Sequence, residues 1–139
     1  MSELRAAPRV SFRADASVNF MLSNILGIAL YNQNKLDQAE THLREALKLK
    51  SNGPSAHYYL GMALLKTKRY EEAQKELQLT ISNGGENIAL VHKYLGGLYL
   101  NAHQNTAAAD ELEKYLNLDP KAADADRIKG TIKELRAKP

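Results

Sequence analysis

The sequence predicts an all-α chain, a helical-hairpin solenoid of three repeats closed by a C-terminal capping helix. Three observations carry this. Leu26-Gly27, Leu60-Gly61 and Leu95-Gly96 recur at spacings of 34 and 35 residues. The register then persists, with Leu30, Leu64 and Tyr99 in one column, Ala39, Ala73 and Ala108 in a second, and Leu43, Leu77 and Leu112 in a third. Between the copies stand turn-forming runs, Ser51-Asn52-Gly53-Pro54 and Asn83-Gly84-Gly85-Glu86. A period of this length marks stacked supersecondary units, each of which buries its apolar face only against its neighbours.

Packing explains the columns. Glycine inside a helix costs about 1 kcal/mol relative to alanine, so its return at one register implies a neighbouring helix too close for a side chain. Ala39, Ala73 and Ala108 make the same demand from the second helix. Each glycine is therefore expected to meet the alanine across its hairpin, with the leucines filling the layer around them. Leucine at position 61 would overpack that contact at about 1–3 kcal/mol or more.

Taken in order, residues 1–16 contain Pro8 and three arginines with no sustained period, and read as an N-terminal tail. The first helix is expected from about Ser17 to Gln33, with Phe20, Leu22, Ile25, Leu26, Ala29 and Leu30 on its apolar side. After a turn at Asn32-Gln33-Asn34-Lys35, the second helix opens with Asp37 and Glu40, spaced as in a capping box, and turns Ala39, Leu43, Ala46 and Leu47 inward. In the break that follows, glycine ends one helix and Pro54 starts the next. The second unit runs to about Ser82, and an additional residue in the next break accounts for the step from 34 to 35. The third unit occupies about Asn87 to Leu118. The three repeats are thus placed at about 20–53, 54–88 and 89–120, within 17–120. Asp119-Pro120 is read as the start of the last helix, in a capping segment at 121–139. Its Ile128, Ile132 and Leu135 form one stripe opposite a charged face of mixed sign, which suits a cap over the last repeat.

Leu60-Gly61, Tyr70-Glu71-Glu72-Ala73 and Leu118-Asp119-Pro120 resemble the fingerprint of the tetratricopeptide repeat (TPR), a helix-turn-helix unit. The resemblance covers about Phe20 to Pro120 and implies a right-handed solenoid of three TPR-like repeats that binds partners without catalysis. Departures are Ser23, His57 and His92 at the tryptophan-type position, Asn105 where Leu36 and Tyr70 stand, and a unit-ending proline only at Pro120. In this family the first helices line a concave groove. Counting from each glycine, that picks Asn24, Ile28 and Tyr31, then Tyr58, Tyr59, Met62 and Leu65, then Lys93, Tyr94, Gly97 and Leu100, with Lys66 and Asn101 at the margin. Tyrosines and apolar groups with two lysines and two asparagines favour an extended peptide or a helix with some acidic or carbonyl character. Adjacent Tyr58 and Tyr59 cannot both point the same way, so one of them is expected to pack between helices. Chaperone-binding members grip a carboxylate with lysine, asparagine and arginine. The matching places here hold Asn24, Ile28, Tyr59, Leu90 and Tyr94, so that specialisation is not implied.

Composition limits the other classes. At 139 residues with a formal charge of +3 and basic residues interleaved with acidic ones, nothing compels nucleic-acid or membrane binding. With no cysteine, thiolate metal sites and disulfides are excluded, and no apolar run approaches the roughly 18 residues of a spanning helix. His42, His57, His92 and His103 show no metal-binding spacing, although His57 and His92 occupy equivalent positions and could approach one another. No nucleophile elbow, phosphate loop or dinucleotide fingerprint is present, so no enzyme, cofactor or metal is expected. The compartment stays open: cytoplasmic if the chain is complete, periplasmic or secreted if it is a fragment. Two readings remain. One is a groove that binds a protein or peptide. The other is a self-assembling scaffold or a piece of a longer solenoid, with Phe20 or Met21 at the contact.

Overall fold

The computed structural model describes residues 15–138, and most of the segment expected as a tail, 1–16, lies outside them. The described residues form seven α-helices and no strand: α1 Ala16–Asn32, α2 Leu36–Leu49, α3 Pro54–Lys66, α4 Tyr70–Thr80, α5 Ala89–Asn101, α6 Asn105–Leu118 and α7 Ala125–Ala137. Helices α1 and α2, α3 and α4, and α5 and α6 pack as hairpins. Contacts of α2 with α3, α4 with α5 and α6 with α7 stack these hairpins in chain order. One apolar cluster runs through all three, from Leu30 and Leu43 through Leu60, Leu64 and Leu77 to Val91, Leu95 and Leu98. A second, around Leu112 and Tyr115, takes up Ile128 and Leu135 of α7.

The glycine of each hairpin meets a leucine, not the alanine the sequence suggested. A Cβ built on Gly27 would lie 2.7 Å from Leu43 Cδ2, one on Gly61 2.8 Å from Leu77 Cδ2, and one on Gly96 2.9 Å from Leu112 Cδ2. The alanines are fully buried one turn earlier on the same helices and let the backbones approach. The missing side chain is thus a notch, and the leucine of the facing helix fills it.

The three hairpin turns share one geometry. Asn34, Lys68 and His103 have φ of 61°, 63° and 59°. The next amide reaches back to the carbonyl five residues earlier, Lys35 to Leu30, Arg69 to Leu64 and Gln104 to Tyr99, each at 2.9 Å. This is the Schellman closure, which satisfies carbonyls left free at the helix end. The left-handed residue is usually glycine, and here it never is.

Helix starts differ from expectation in two places. No capping box forms at α2: its N-cap is Lys35, with no side-chain bond. Glu40 instead accepts from Arg44 Nε at 2.9 Å and from both terminal nitrogens of Arg69 in the next hairpin. The Arg69 hydrogen bond foremost holds its carboxyl below the usual range. The last helix begins at Ala125 rather than at Pro120, because Asp124 is fixed as its N-cap position by a 2.7 Å bond from Tyr115 Oη and a 2.7 Å ion pair with Lys93.

The additional residue of the second unit is absorbed at Ile81–Gly85, a widened π-type turn continuing α4 in which Gly84 has φ 99°. A Cβ at Gly85 would stand 2.6 Å from the Thr80 carbonyl oxygen, so that turn closes only over glycine. Gly53 also has a packing role. It takes an ordinary φ of −78° as the N-cap of α3, and the space of its missing side chain is filled by the Phe20 ring.

Two predictions follow from this packing. Gly96→Ala should lower stability in urea unfolding by about 1–3 kcal/mol. Its neighbour Gly97, where a Cβ meets nothing within 4 Å, should gain about 0.5–1 kcal/mol on the same change; equal effects would contradict the notch. Lys68→Gly should raise the unfolding midpoint by relieving a left-handed residue, a net gain of roughly 0.5–1 kcal/mol, and a lowered midpoint would count against the turn described.

Candidate functional site

The first helices α1, α3 and α5 carry Tyr31, Tyr58, Tyr59, Tyr94 and Tyr99. Tyr31 and Tyr59 meet edge-on with ring centroids 5.4 Å apart, and Tyr59 meets Tyr58 edge-on at 5.1 Å. The expected division of Tyr58 and Tyr59 therefore does not occur: both are half-buried and share one cluster. The Lys66 ammonium lies 4.3 Å from the Tyr31 ring centroid, a cation–π contact that leaves the charge exposed. Burial, followed by the neighbouring phenols Tyr94, Tyr31 and Tyr59, pushes the Tyr58 hydroxyl up to about 12.

Beside this cluster lies an open cavity of about 410 Å³. Leu65, Tyr94, Leu100 and Asn101 line it together with Gly97, which leaves its middle free of side chain. Leu98 and Leu112 also line it, and α7 supplies Arg127, Ile128 and Thr131. Thus α7 contributes to the groove as well as covering the last hairpin. The Arg127 guanidinium is largely exposed, 3.5 Å from Asp124. Sequence reasoning placed Arg127 on an outer charged face and did not select Thr131 or Tyr70, which also borders the cavity. The approach of Arg127 and Thr131 depends on where the turn at 119–124 sends α7, and no spacing rule reveals that.

Four expected groove residues have other roles. Met62 is only 5% exposed, packed among the helices. Lys93 lines the cavity but is not a free cation. Its ammonium is 2.7 Å from Asp124 and 5.6 Å from the Tyr115 ring centroid. The Lys93 bond, with the Tyr115 bond second, holds the Asp124 carboxyl below its ordinary range, while that carboxylate and burial push Tyr115 up to about 12. Asn24 donates to Ser55 Oγ at 2.9 Å, tying α1 to α3. Ile28 is half-buried against the core.

The histidines do not pair with each other. His57 Nδ1 lies 2.6 Å from Glu76 and its Nε2 2.6 Å from the Ser51 carbonyl; His92 repeats the arrangement with Glu111 at 2.6 Å and the Glu86 carbonyl at 2.7 Å. Each pair ties the two helices of one hairpin to the loop before it. The same 19-residue separation in both units is a signal the sequence offered. The first unit holds Ser23 and His42 in these places, and His42 turns to Glu45 instead. Among the described residues no group of three acidic, histidine or cysteine side chains gathers to hold a metal, and no helix is long and apolar enough to cross a membrane.

The raised tyrosines have a measurable consequence. In an alkaline titration of phenolate absorbance, Tyr58→Phe and Tyr115→Phe should each remove an ionisation near pH 12. Because the folded-state values lie above the ordinary 10, the stability these groups contribute is complete below pH 10 and is lost as pH rises through about 12. Loss of amplitude near pH 10 on either substitution would contradict the packing.

A tetratricopeptide repeat family model matches residues 26–85. No curated protein matches the sequence. Similar solved structures include the first TPR of Spaghetti (RPAP3) bound to the HSP90 peptide SRMEEVD, at 16% identity and TM-score 0.76, covering 91% of this chain and 99% of that one. MamA is similar at 21% identity and TM-score 0.76, over 98% of this chain and 74% of that one. The Yersinia enterocolitica type III secretion chaperone SycD in complex with a peptide of the translocator YopD is similar at 12% identity and TM-score 0.70, over 85% and 92%. At such identities the structures speak to the fold, and it is the fold of stacked TPR hairpins. The tetratricopeptide repeat model thus matches residues 26–85, and the described residues as a whole have the fold of stacked TPR hairpins.

Proposed function

We propose that the chain is a non-catalytic protein-interaction module that docks a segment of a partner protein along the face formed by α1, α3 and α5. The carrying observation is the juxtaposition of the tyrosine cluster with the cavity at Gly97. An apolar or aromatic anchor of the partner enters the cavity against Leu65, Tyr94 and Leu100, and the chain on one side of it lies over Tyr31, Tyr58 and Tyr59. Rigid aromatic surface of this kind gives contact area at small entropic cost. The exposed cations at the margin are Lys66 and Arg127, since Lys93 is neutralised by Asp124. They favour an acidic residue flanking the anchor, and Asn101 is placed to bond a partner carbonyl. The complexes of Spaghetti (RPAP3) and SycD with peptides support this reading by fold. The carboxylate-gripping places remain without a cation, holding Ile28, Tyr59, Leu90 and Tyr94 among others, so a terminal carboxylate is not the recognised feature.

Gly97→Leu tests this directly, because it fills the cavity at a position where added atoms meet nothing. Peptides selected from a random displayed library on the wild-type chain should lose at least about tenfold in affinity, about 1.4 kcal/mol, on the Gly97→Leu variant, with helicity and unfolding midpoint retained. Lys66→Glu should weaken those with an acidic flank. Selected peptides that bind wild type and Gly97→Leu equally would overturn the proposal.

A further inference from the structure

Helix α1 has no charged residue anywhere in Ala16–Asn32, whereas α2 presents Asp37, Glu40, Arg44, Glu45 and Lys48. Of the seventeen residues of α1, only Gly27 and Leu30 are buried. Met21 is 50% exposed, Leu22 58%, Ile25 57% and Leu26 44%, with the exposed Val18 next to Met21 and Leu49 of α2 next to Leu22. A helix without charge, with large apolar residues spread beyond its packed side, is the kind that proteins bury. The area is on the order of 500 Å², at the upper end of what a monomer carries as its largest apolar patch. Phe20, expected at an outer contact, is instead seated on Gly53 under the Lys50 ammonium, so the exposed set is centred on Leu22 and Ile25.

We infer that this face is covered by the same face of a second copy, in a closed two-fold dimer with α1 against α1. The other end of the stack cannot supply the cover. There α7 packs Ile128 and Leu135 inward and exposes Asp126, Arg127, Lys129, Lys133 and Glu134, so head-to-tail stacking would bury charges against apolar groups. Like face on like face buries the patch twice in one contact. Together the two patches reach about the 1,000 Å² that a specific interface requires, before the rim is added. That rim is self-complementary, because Glu45 and Lys48 border the cleft beside Leu22 and Leu49. Across a two-fold axis each lysine then has an opposite charge available on the other copy. The proposal is independent of the cavity at Gly97, whose lining includes no residue of this patch.

The chain has no cysteine, which makes the test direct. Sedimentation equilibrium of the full chain should give a mass rising with concentration from 15.5 kDa to twice that and no further. Leu22→Glu with Ile25→Glu should hold the lower mass with unchanged helical circular dichroism. In case that variant fails to fold, Leu22→Cys and Ile25→Cys, which keep the surface nearly apolar, should form a disulfide-linked dimer under mild oxidation, while Lys133→Cys on α7 should not. A monomer at several hundred micromolar, as when residues 1–14 cover the face within one chain, would overturn the inference. So would growth beyond a dimer, or cross-linking equal at Lys133→Cys.

Discussion

A leucine occupying the space of an absent side chain is the contact on which the rest of the molecule depends. Leu43 in the notch of Gly27, Leu77 in that of Gly61 and Leu112 in that of Gly96 fix both the separation and the axial register of the helices in each hairpin. With register fixed, Leu30, Leu64 and Leu98 fall into a shared core, and the helix that closes one hairpin presents a usable surface to the next. Such interdigitation resists small changes of volume in either direction, because interiors are packed as densely as crystals. The three left-handed turns close behind the notch, each with the same pair of hydrogen bonds.

Holding the helices this close decides what the first helices display. One residue after the third notch glycine stands a second glycine that meets nothing, and the two adjacent positions have opposite fates: Gly96 is filled from behind by Leu112, and Gly97 leaves open the cavity in front. Polar contacts then adjust the electrostatics of that face. Asp124, held by Tyr115, draws Lys93 out of the set of available cations and at the same time sets where α7 begins. The charge left at the margin belongs to Lys66 and Arg127. Function in a solenoid of this kind lies in which side chains the packing leaves over.

The repeat register, the helix order and the identity of the core leucines were legible because packing demands recur at one spacing. The partner of each glycine was misassigned, since periodicity shows that a position is small without showing what fills the space. Met62 falls one residue after a notch glycine, as Gly97 does, yet it is buried while Gly97 is exposed. Equivalent positions differ in the two stacking contacts, and the additional residue taken up at Ile81–Gly85 separates the hairpins concerned. Lys93 could not be judged from its own helix, because its partner lies 31 residues further on, in a turn. The exposure of Leu22 and Ile25 was hidden for the opposite reason: an apolar stripe reads the same whether or not anything covers it. The two histidine–glutamate pairs were within reach, since both repeat the same separation, but a search confined to metal spacing passed over them.

That the glycine and leucine of a hairpin are one interaction is tested most directly by a double-mutant cycle on Gly61 and Leu77 in guanidinium unfolding. Leu77→Ala should cost roughly 2–5 kcal/mol through the cavity it leaves, and Gly61→Ala alone should destabilise by crowding that leucine. Combined, the new methyl enters the vacated space, and the double variant should be more stable than the sum of the single losses implies by at least about 1 kcal/mol. Additivity within about 0.5 kcal/mol would mean that the two positions do not share that space, and the packing described here would be wrong at its centre.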